Sequence, residues 1–366
     1  MSKAPKIGLR KRLALNLFAN IKKDLAKQHE LREIFWECTL RCNLNCGHCG
    51  SDCRSSATVP DMPAEDFLRA IDQITPHVNP NRVMVVITGG EALCRNDLEA
   101  VGRELYKRGY PWGIVTNGML LTRERMESLV RAGLRSITLS LDGFEEVHNA
   151  IRRHPHSWRN AVRALDAIVA TEGIVYDVVT CVGPHNYDSL PELRDWLIER
   201  GCKAWRLFTI FPVGRAADND ELQLSSEEYR GLMEFIIATR KEGKIKCDYA
   251  CEGFLGGYEA EVRDRFFGCM AGVSICGIKI DGAISACTSI RAGFDQGNIY
   301  TDNIWEVWNT RFEPYRNREW ARKGECKDCK VWKFCQGNGM HLYDNDHNLL
   351  HCNYKRIQNS EFKIQN

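Results

Sequence analysis

The sequence predicts an α/β fold in which a partial (β/α)6 barrel is followed by a small cysteine-rich domain. Six short runs rich in β-branched and aromatic residues alternate with segments whose apolar residues recur at helical spacing. This alternation favours parallel strands joined by right-handed crossovers, and six units are too few to close an eight-stranded barrel. The alternation stops near residue 240. We therefore expect an N-terminal extension at 1–30, the barrel at 31–240 and the cysteine-rich domain at 241–366.

Each unit begins with a strand, and a helical segment follows it. The expected strands are 34–37, 83–88, 112–116, 136–141, 175–182 and 204–210. The first helical segment carries Phe67, Ile71 and Ile74, and the later segments repeat this spacing of core-facing apolar residues. The carboxyl ends of the strands should share one rim, where barrel enzymes carry out their chemistry.

The composition narrows the class of function. A formal net charge of +2 gives no reason to expect a nucleic acid or another polyanion as partner. The sequence has no run of about 18 apolar residues and no secretion signal at its N-terminus, so we expect a cytoplasmic protein. Thiols stay reduced in the cytoplasm, so 17 cysteines favour metal binding over disulfides. Isolated cysteines such as Cys94, Cys181 and Cys202 are expected to be small buried apolar residues.

Three cysteines with C-x3-C-x2-C spacing follow the first expected strand: Cys42, Cys46 and Cys49. Iron–sulfur clusters usually take four cysteine ligands. Three thiolates could therefore hold three irons of a [4Fe–4S] cluster and leave the fourth iron open to a substrate or cofactor. A zinc knuckle, or a set of unrelated reduced cysteines, is the alternative that the spacing alone leaves open.

Polar residues follow three further strands at the same rim. They are Gly89, Gly90, Glu91, Asn117, Ser140 and Asp142. The two glycines allow the backbone to pass close to a ligand, and the carboxylate of Glu91 could pair with an ammonium group. Each motif alone is weak, but together they predict a polar pocket beside the three-cysteine loop.

The cysteine spacing and these rim motifs resemble the radical S-adenosylmethionine (radical SAM) enzymes over about residues 31–240. The resemblance implies a TIM-like partial barrel in which SAM chelates the open iron and is cleaved to a radical that abstracts hydrogen from a substrate. It also implies that Gly89, Gly90 and Glu91 contact the amino group of SAM, and that Ser140 and Asp142 contact its ribose and carboxylate. Asn117 is a weaker candidate for this pocket. Asn186 and the run FPVGR at 211–215 also resemble positions in this family.

The last third of the chain contains seven further cysteines in spaced motifs. They are Cys269, Cys276, Cys287, Cys326, Cys329, Cys335 and Cys352. A short segment so rich in cysteine has little apolar core of its own and is expected to fold around metal. The C-x2-C pair with two further cysteines would by itself also suit structural zinc.

The order and spacing of these cysteines resemble the SPASM domain, an extension of peptide-modifying radical SAM enzymes with two auxiliary [4Fe–4S] clusters. The resemblance assigns one auxiliary cluster to the last four cysteines. It assigns the other to Cys269, Cys276 and Cys287 plus a cysteine at position 339, where this chain has glycine. The missing ligand leaves three outcomes: an open iron, a substitute ligand such as His341, Cys247 or Cys251, or loss of the cluster. We expect a real cluster with an open or substituted position.

The resemblance implies oxidation or cross-linking of a peptide or protein side chain, with electrons from a flavodoxin- or ferredoxin-type donor. A radical SAM step in the biosynthesis of haem or another cofactor is the alternative, and a non-catalytic iron–sulfur or zinc protein is the third. Thr288 stands where sulfatase-maturing relatives have an acid, which disfavours that activity. The roughly 30 residues before the first strand are too few for a leader-binding domain. No residue stands out as a general base.

Residues 1–28 form a basic amphipathic pattern. They contain eight basic residues against one acid, and Leu13, Leu17, Ile21 and Leu25 repeat at helical spacing. Such a helix can make a weak contact with an anionic membrane surface. The prediction that we prefer is a helix packed on the barrel with a solvated basic face.

Overall fold

The computed structural model describes residues 4–217 and 219–358, so residues 1–3, 218 and 359–366 of the expected parts lie outside the described residues. Seven parallel strands follow one another in chain order within one sheet. They are β1 (Glu33–Glu37), β2 (Met84–Thr88), β3 (Trp112–Thr116), β4 (Leu134–Ser140), β5 (Val175–Val182), β6 (Ala204–Thr209) and β7 (Lys246–Tyr249). The predicted α/β fold with a partial TIM-like barrel is confirmed.

Helices cover the outside of the sheet and connect its strands. Those of the barrel are α1 (Leu9–Gln28), α2 (Ala64–Ile74), α3 (Leu98–Lys107), α4 (Arg123–Arg131), α5 (Glu145–Arg152), α6 (Ser157–Val169), α7 (Pro184–Tyr187), α8 (Leu190–Glu199) and α9 (Ser226–Glu242). The C-terminal part adds α10 (Ile304–Thr310), α11 (Glu313–Arg316), α12 (Trp332–Cys335) and α13 (Asn353–Gln358).

The two faces of each barrel strand differ because successive side chains point to opposite sides of a sheet. On β6, Trp205 and Leu207 are fully buried, and the Trp205 ring lies 5.9 Å from Phe235 of α9. The alternate residues Arg206 and Phe208 therefore face the barrel interior, where they are only half-buried. This pattern leaves the interior of the barrel open to a ligand.

The cysteine-rich part contributes three strands to the barrel sheet: β8 (Ile275–Ile278), β9 (Ala283–Ser285) and β10 (Gly297–Asn298). Strand β8 pairs in parallel with β1, and β9 and β10 follow as antiparallel strands, so the sheet has ten strands. The expected boundary at 240 thus falls in the last turn of α9, and strands on both sides of it belong to one continuous sheet. Pairing of β8 with a strand about 240 residues earlier leaves no local sequence signal.

Helix α1 packs on the protein with an unexpected face. Its buried residues are Leu15 and Ala19, and Lys22 Nζ donates to the carbonyl oxygen of Phe334 at 2.7 Å. The apolar stripe faces solvent: Leu9, Leu13, Leu17, Ile21 and Leu25 are 76%, 62%, 63%, 42% and 36% exposed. The expectation that this stripe would pack on the barrel is therefore wrong. Within the described residues, no helix is both long and apolar enough to cross a membrane.

Candidate active site

The three-cysteine loop leaves the carboxyl end of β1 and is fixed by backbone hydrogen bonds to two other elements. Cys38 N donates to Thr88 O at 2.9 Å, and Gly47 N donates to Ile151 O at 2.8 Å. Cys46 is buried, and Cys42 and Cys49 are half-buried. The loop is therefore anchored between the end of β2 and the last turn of α5.

Gly89 and Gly90 bring the end of β2 against the backbone of this loop. Gly90 N donates to Thr39 O at 2.7 Å, and Glu91 N donates to Arg41 O at 2.9 Å. A Cβ atom at either glycine would collide with the carbonyl group of Thr39 or Arg41, and Gly89 has a φ of +132°. The close approach expected of these glycines is thus made to the cysteine loop itself.

The Glu91 carboxylate ties the ends of β2 and β3 together. It accepts hydrogen bonds from Thr116 Oγ1 at 2.8 Å, Asn117 N at 2.7 Å and Leu93 N at 3.1 Å. Burial raises the pKa of Glu91, and these three donors oppose that rise. A carboxylate offers about four acceptor positions, so one is left for a ligand.

Asn117 lies beside the first cysteine of the loop. Its Nδ2 donates to Asn43 Oδ1 at 2.8 Å and lies 3.8 Å from Cys42 Sγ, while its Oδ1 accepts from Met119 N at 2.9 Å. The side chain therefore joins the end of β3 to the cysteine loop.

Asp142 is the centre of a buried charged group next to Cys46. Its Oδ2 accepts from Arg152 Nε at 2.7 Å and lies 3.4 Å from His48 Nε2, and its Oδ1 accepts from Cys181 N at 2.9 Å. Burial alone would raise the pKa of Asp142, but the Arg152 charge and the two nearby histidines hold it below its usual value. The carboxylate is therefore ionised. Ser140, two residues earlier, is half-buried at the end of β4.

Asn186, on α7 after β5, is bound to the same rim. Its Nδ2 donates to Asp142 O at 2.8 Å and to Cys181 O at 2.9 Å, and its Oδ1 accepts from Gly183 N at 3.0 Å. The side chain thus links the end of β5 to the residue that follows β4.

Two arginines that the sequence did not mark as site residues hold the cysteine loop. Arg152 Nη1 lies 3.8 Å from Cys46 Sγ. Arg215, at the end of the FPVGR run, donates from Nε to Cys46 O at 2.7 Å and from Nη1 to Cys53 O at 3.0 Å and Asp52 Oδ1 at 2.7 Å. The FPVGR motif could have identified Arg215 from the sequence, whereas no sequence motif marks Arg152.

The thiols of the loop have different electrostatic surroundings. Burial raises the pKa of Cys42 to about 12 and also raises that of Cys46. Cys49 has a lowered pKa because the Cys53 thiol donates a hydrogen bond to it. A bound cation lowers the pKa of every thiol that coordinates it, so metal binding would overcome the effect of burial.

The distances between the thiols can be compared with those between the ligands of a zinc site. Four ligands at 2.3 Å around tetrahedral zinc lie roughly 3.8 Å from one another. Among the described residues, only His48, Asp142 and Cys181 bring three potential ligand atoms within 4.8 Å of one another, and there Asp142 is paired with Arg152. No set of three cysteines meets this distance in residues 4–217 and 219–358. The thiols therefore lie farther apart in this structure than the ligands of a single zinc ion do.

Four cysteines of the C-terminal part surround one cavity. Cys326, Cys329, Cys335 and Cys352 line a space of about 390 Å³, many times the roughly 30 Å³ that one water molecule takes up. Asn338 N lies 3.2 Å from Cys335 Sγ. These four residues fit a cluster with four protein ligands.

The structure brings Cys269 and Cys287 together but not Cys276. The Cys269 charge contributes to the raised pKa of Cys287, after the larger effect of burial. Cys276 lies in the apolar core, where its thiol is 3.7 Å from Ser285 O and its pKa is raised by burial without a contribution from another cysteine. Of the isolated cysteines, Cys202 is buried as expected, whereas Cys181 and Cys94 are only half-buried.

Comparisons with known proteins agree with this arrangement of cysteines. The family described as the radical SAM superfamily matches residues 36–197, and the SPASM family, described as an iron–sulfur cluster-binding domain, matches residues 269–330. The chain is a radical SAM protein with a SPASM domain. Its cofactors are accordingly SAM and [4Fe–4S] clusters, and the radical SAM match includes the three-cysteine loop and the polar rim.

The relatives of this radical SAM protein have more than one substrate class. The AdoMet-dependent heme synthase of Methanosarcina barkeri is 27% identical over 87% of this chain and 94% of its own length. The mycofactocin maturase MftC of Mycolicibacterium smegmatis is 29% identical over 83% of this chain and 77% of its own length. Streptococcus suis SuiB bound to S-adenosylmethionine has the same fold, with a TM-score of 0.67 and 20% identity over 85% of this chain and 74% of SuiB.

Proposed function

We propose that the chain is a radical SAM oxidoreductase in which Cys42, Cys46 and Cys49 hold the SAM-binding [4Fe–4S] cluster. The observation that carries this proposal is the anchored loop that places its three cysteines beside the polar rim. When bound, the cluster and SAM supply hydrogen-atom abstraction by a 5′-deoxyadenosyl radical. We assign the SAM pocket to the rim residues, which are Gly89, Gly90, Glu91, Asn117, Ser140 and Asp142.

The residues around the loop have separate tasks in this proposal. Arg152 and Arg215 place positive charge next to Cys46, which favours the thiolate form that metal binding requires. Glu91 has one acceptor position left for the ammonium group of SAM. The remaining hydrogen bonds hold the rim rigid, so the pocket is organised before SAM binds.

We also assign an auxiliary [4Fe–4S] cluster to Cys326, Cys329, Cys335 and Cys352, which surround the C-terminal cavity. Substrate oxidation releases electrons, and an auxiliary cluster offers a place to receive them. A flavodoxin- or ferredoxin-type protein would supply the electron that starts each cycle. The barrel at 31–240 and the SPASM part at 241–366 are the two functional units of this proposal.

Haem precursors are the substrate class that we favour. Burial and the nearby Cys269 raise the pKa of Cys251, and the charges of Arg206 and Arg265 oppose that rise, so both arginines lie near Cys251; both also oppose the raised pKa of Glu33 on β1. Arg206 pairs with Asp177 at 2.8 Å, whereas Arg265 is exposed and forms no ion pair with the described residues. Arginine recognises carboxylates, which tetrapyrrole precursors of haem carry. The M. barkeri heme synthase, matched over 94% of its length, supports the same class.

A peptide is the second candidate substrate. It is favoured by MftC, which is 29% identical to this chain and is named as a maturase. The carboxyl terminus or an acidic side chain of a peptide could use the same arginines.

The test is an anaerobic assay with SAM, dithionite and either an iron porphyrin that carries propionates or the peptide encoded nearest to this gene. Mass spectrometry of the porphyrin and of the peptide, together with 5′-deoxyadenosine formation, identifies the substrate. We expect a SAM-dependent mass change in the porphyrin, with a higher KM in the R265Q variant. A mass change in the peptide alone would overturn the haem assignment.

A further inference from the structure

We propose that a second auxiliary cluster is held by Cys251, Cys269, Cys287 and His341, and that Cys276 is a core residue. This inference rests on the proposed function, since it concerns a cluster of the same enzyme. Neither Cys251 nor His341 belongs to the spaced cysteine motifs of the C-terminal part.

The register of the β8–β9 hairpin separates Cys276 from Cys287. Gly277 pairs with Ser285 and Ile278 with Ile284 in this antiparallel hairpin. Continued by two residues, the same register places Ile275 opposite Cys287. Directly opposed residues lie on one face, and neighbours along a strand lie on opposite faces. Cys276 therefore faces the core, and Cys287 faces the other side of the hairpin.

Cys251 takes the place in the cysteine group that Cys276 leaves. It follows β7 at the carboxyl end of the barrel, and its side chain is exposed. The charge of Cys269 contributes to the raised pKa of the Cys251 thiol, and the charges of Cys251 and Cys269 both contribute to the raised pKa of Cys287. These three cysteines are thus mutual neighbours.

His341 occupies the space of the missing fourth cysteine. A Cβ atom built at Gly339 would lie 2.5 Å from Cε1 and 2.8 Å from Nδ1 of the His341 ring, and 2.9 Å from Glu252 O. Gly339 N donates to the same oxygen at 3.1 Å, and Glu252 directly follows Cys251. Position 339 and Cys251 are therefore close to each other, and the imidazole of His341 lies where a cysteine side chain would extend.

The His341 ring is fixed by packing, and one of its ring nitrogens is free to coordinate iron. It is 8% exposed and packs on Phe211 with ring centroids 4.2 Å apart. Its Nε2 is buried without a hydrogen-bond partner among the described residues. A buried polar atom without a partner is costly, and coordination to iron would satisfy it. Imidazole in place of thiolate also raises the reduction potential of a cluster, which suits an acceptor of substrate electrons.

The alternative ligand Cys247 does not fit this site. It lies on β7 within the apolar core and is 1% exposed.

The test uses anaerobically reconstituted full-length protein and measures iron, with Mössbauer and pulsed EPR spectra. Three filled sites hold about 12 Fe. We expect C251S and C287S to retain about 8 Fe and C276A to retain about 12. Loss of iron in C276A but not in C251S would overturn the cysteine assignment. C276A keeps an apolar residue in the core, and its melting temperature serves as the folding control.

Pulsed EPR tests the histidine separately. We expect a strong nitrogen coupling to one auxiliary cluster in the wild type, its loss in H341A, and recovery of a four-cysteine cluster in G339C/H341A. Wild-type protein without such a coupling would overturn the role of His341. SAM binding by the three-cysteine loop is measured on the same samples. If SAM binds but the nitrogen coupling is absent, the assignment of His341 fails while the proposed function stands.

Discussion

Replacement of Gly90 by alanine should damage the three-cysteine loop, because the loop backbone leaves no room for a side chain at that position. The added Cβ would lie 2.7 Å from the carbonyl carbon of Arg41 and closer still to its oxygen, whereas ordinary contact begins at 3.4 Å. Both partners are backbone, so neither can rotate away. The two strands must separate by about 1 Å.

That separation should lower the free energy of unfolding, because it breaks two backbone hydrogen bonds. Gly90 N to Thr39 O and Glu91 N to Arg41 O would lengthen from 2.7 and 2.9 Å to beyond hydrogen-bonding distance. Two such bonds contribute about 1–1.5 kcal/mol each, so we expect a loss of about 2–3 kcal/mol. In a chain of this size that lowers the melting temperature by about 3–4 °C.

The assay is thermal unfolding together with the iron content of reconstituted protein. We expect G90A to lose the cluster of the three-cysteine loop and to fall from about 12 to about 8 Fe. Gly293 supplies the control, because a Cβ there meets nothing within 4 Å and its backbone conformation suits alanine. Wild-type iron content and melting temperature in G90A would refute the reasoning.

Three further predictions concern other parts of the molecule. R215A removes three hydrogen bonds to the cysteine loop, so reconstituted protein should keep about 8 of about 12 Fe; unchanged iron would contradict this role. Burial, and then Arg152, lowers the pKa of His148 to about 3. The unfolded chain therefore binds the extra proton below pH 6.5, so His148 should account for about 2 kcal/mol of the stability that is lost from pH 7 to 5. Other buried histidines, such as His48, also have a lowered pKa, so H148Q should lose about 2 kcal/mol less than the wild type; an equal slope in both proteins would argue against this role of His148. If α1 contacts an anionic membrane surface, L17E should weaken co-sedimentation with anionic vesicles. L120E changes another exposed leucine and should leave co-sedimentation unchanged; equal binding by both variants would exclude a membrane contact through α1.

The barrel could be predicted because its signals are local. Strands Trp112–Thr116 and Val175–Val182 have the predicted bounds, since each is a β-rich run flanked by helical segments. Strand β8 was missed because it is four residues long and pairs with β1, far away in the chain. The sequence-based assignment of its cysteine, Cys276, to a metal site therefore took no account of this pairing.

The candidate site was predictable only in part for a similar reason. Cysteine spacing and rim motifs lie at fixed offsets from strands, so the sequence brought the loop and the rim together. The partners of each side chain depend on which helices pack beside the rim. Arg152 reaches Asp142 and Cys46 from α5, and nothing in the sequence distinguishes it from the adjacent Arg153. The exposed stripe of α1 was missed because an amphipathic pattern does not say which face packs.

The most direct test of radical SAM chemistry at this loop is 5′-deoxyadenosine formation by anaerobic protein given SAM and dithionite. The comparison is wild type against C42S/C46S/C49S, with the iron of the C-terminal sites measured in both. We expect the wild type to form 5′-deoxyadenosine and the triple variant to form none while it retains its C-terminal iron. Equal product from the triple variant would contradict the assignment of the three-cysteine loop.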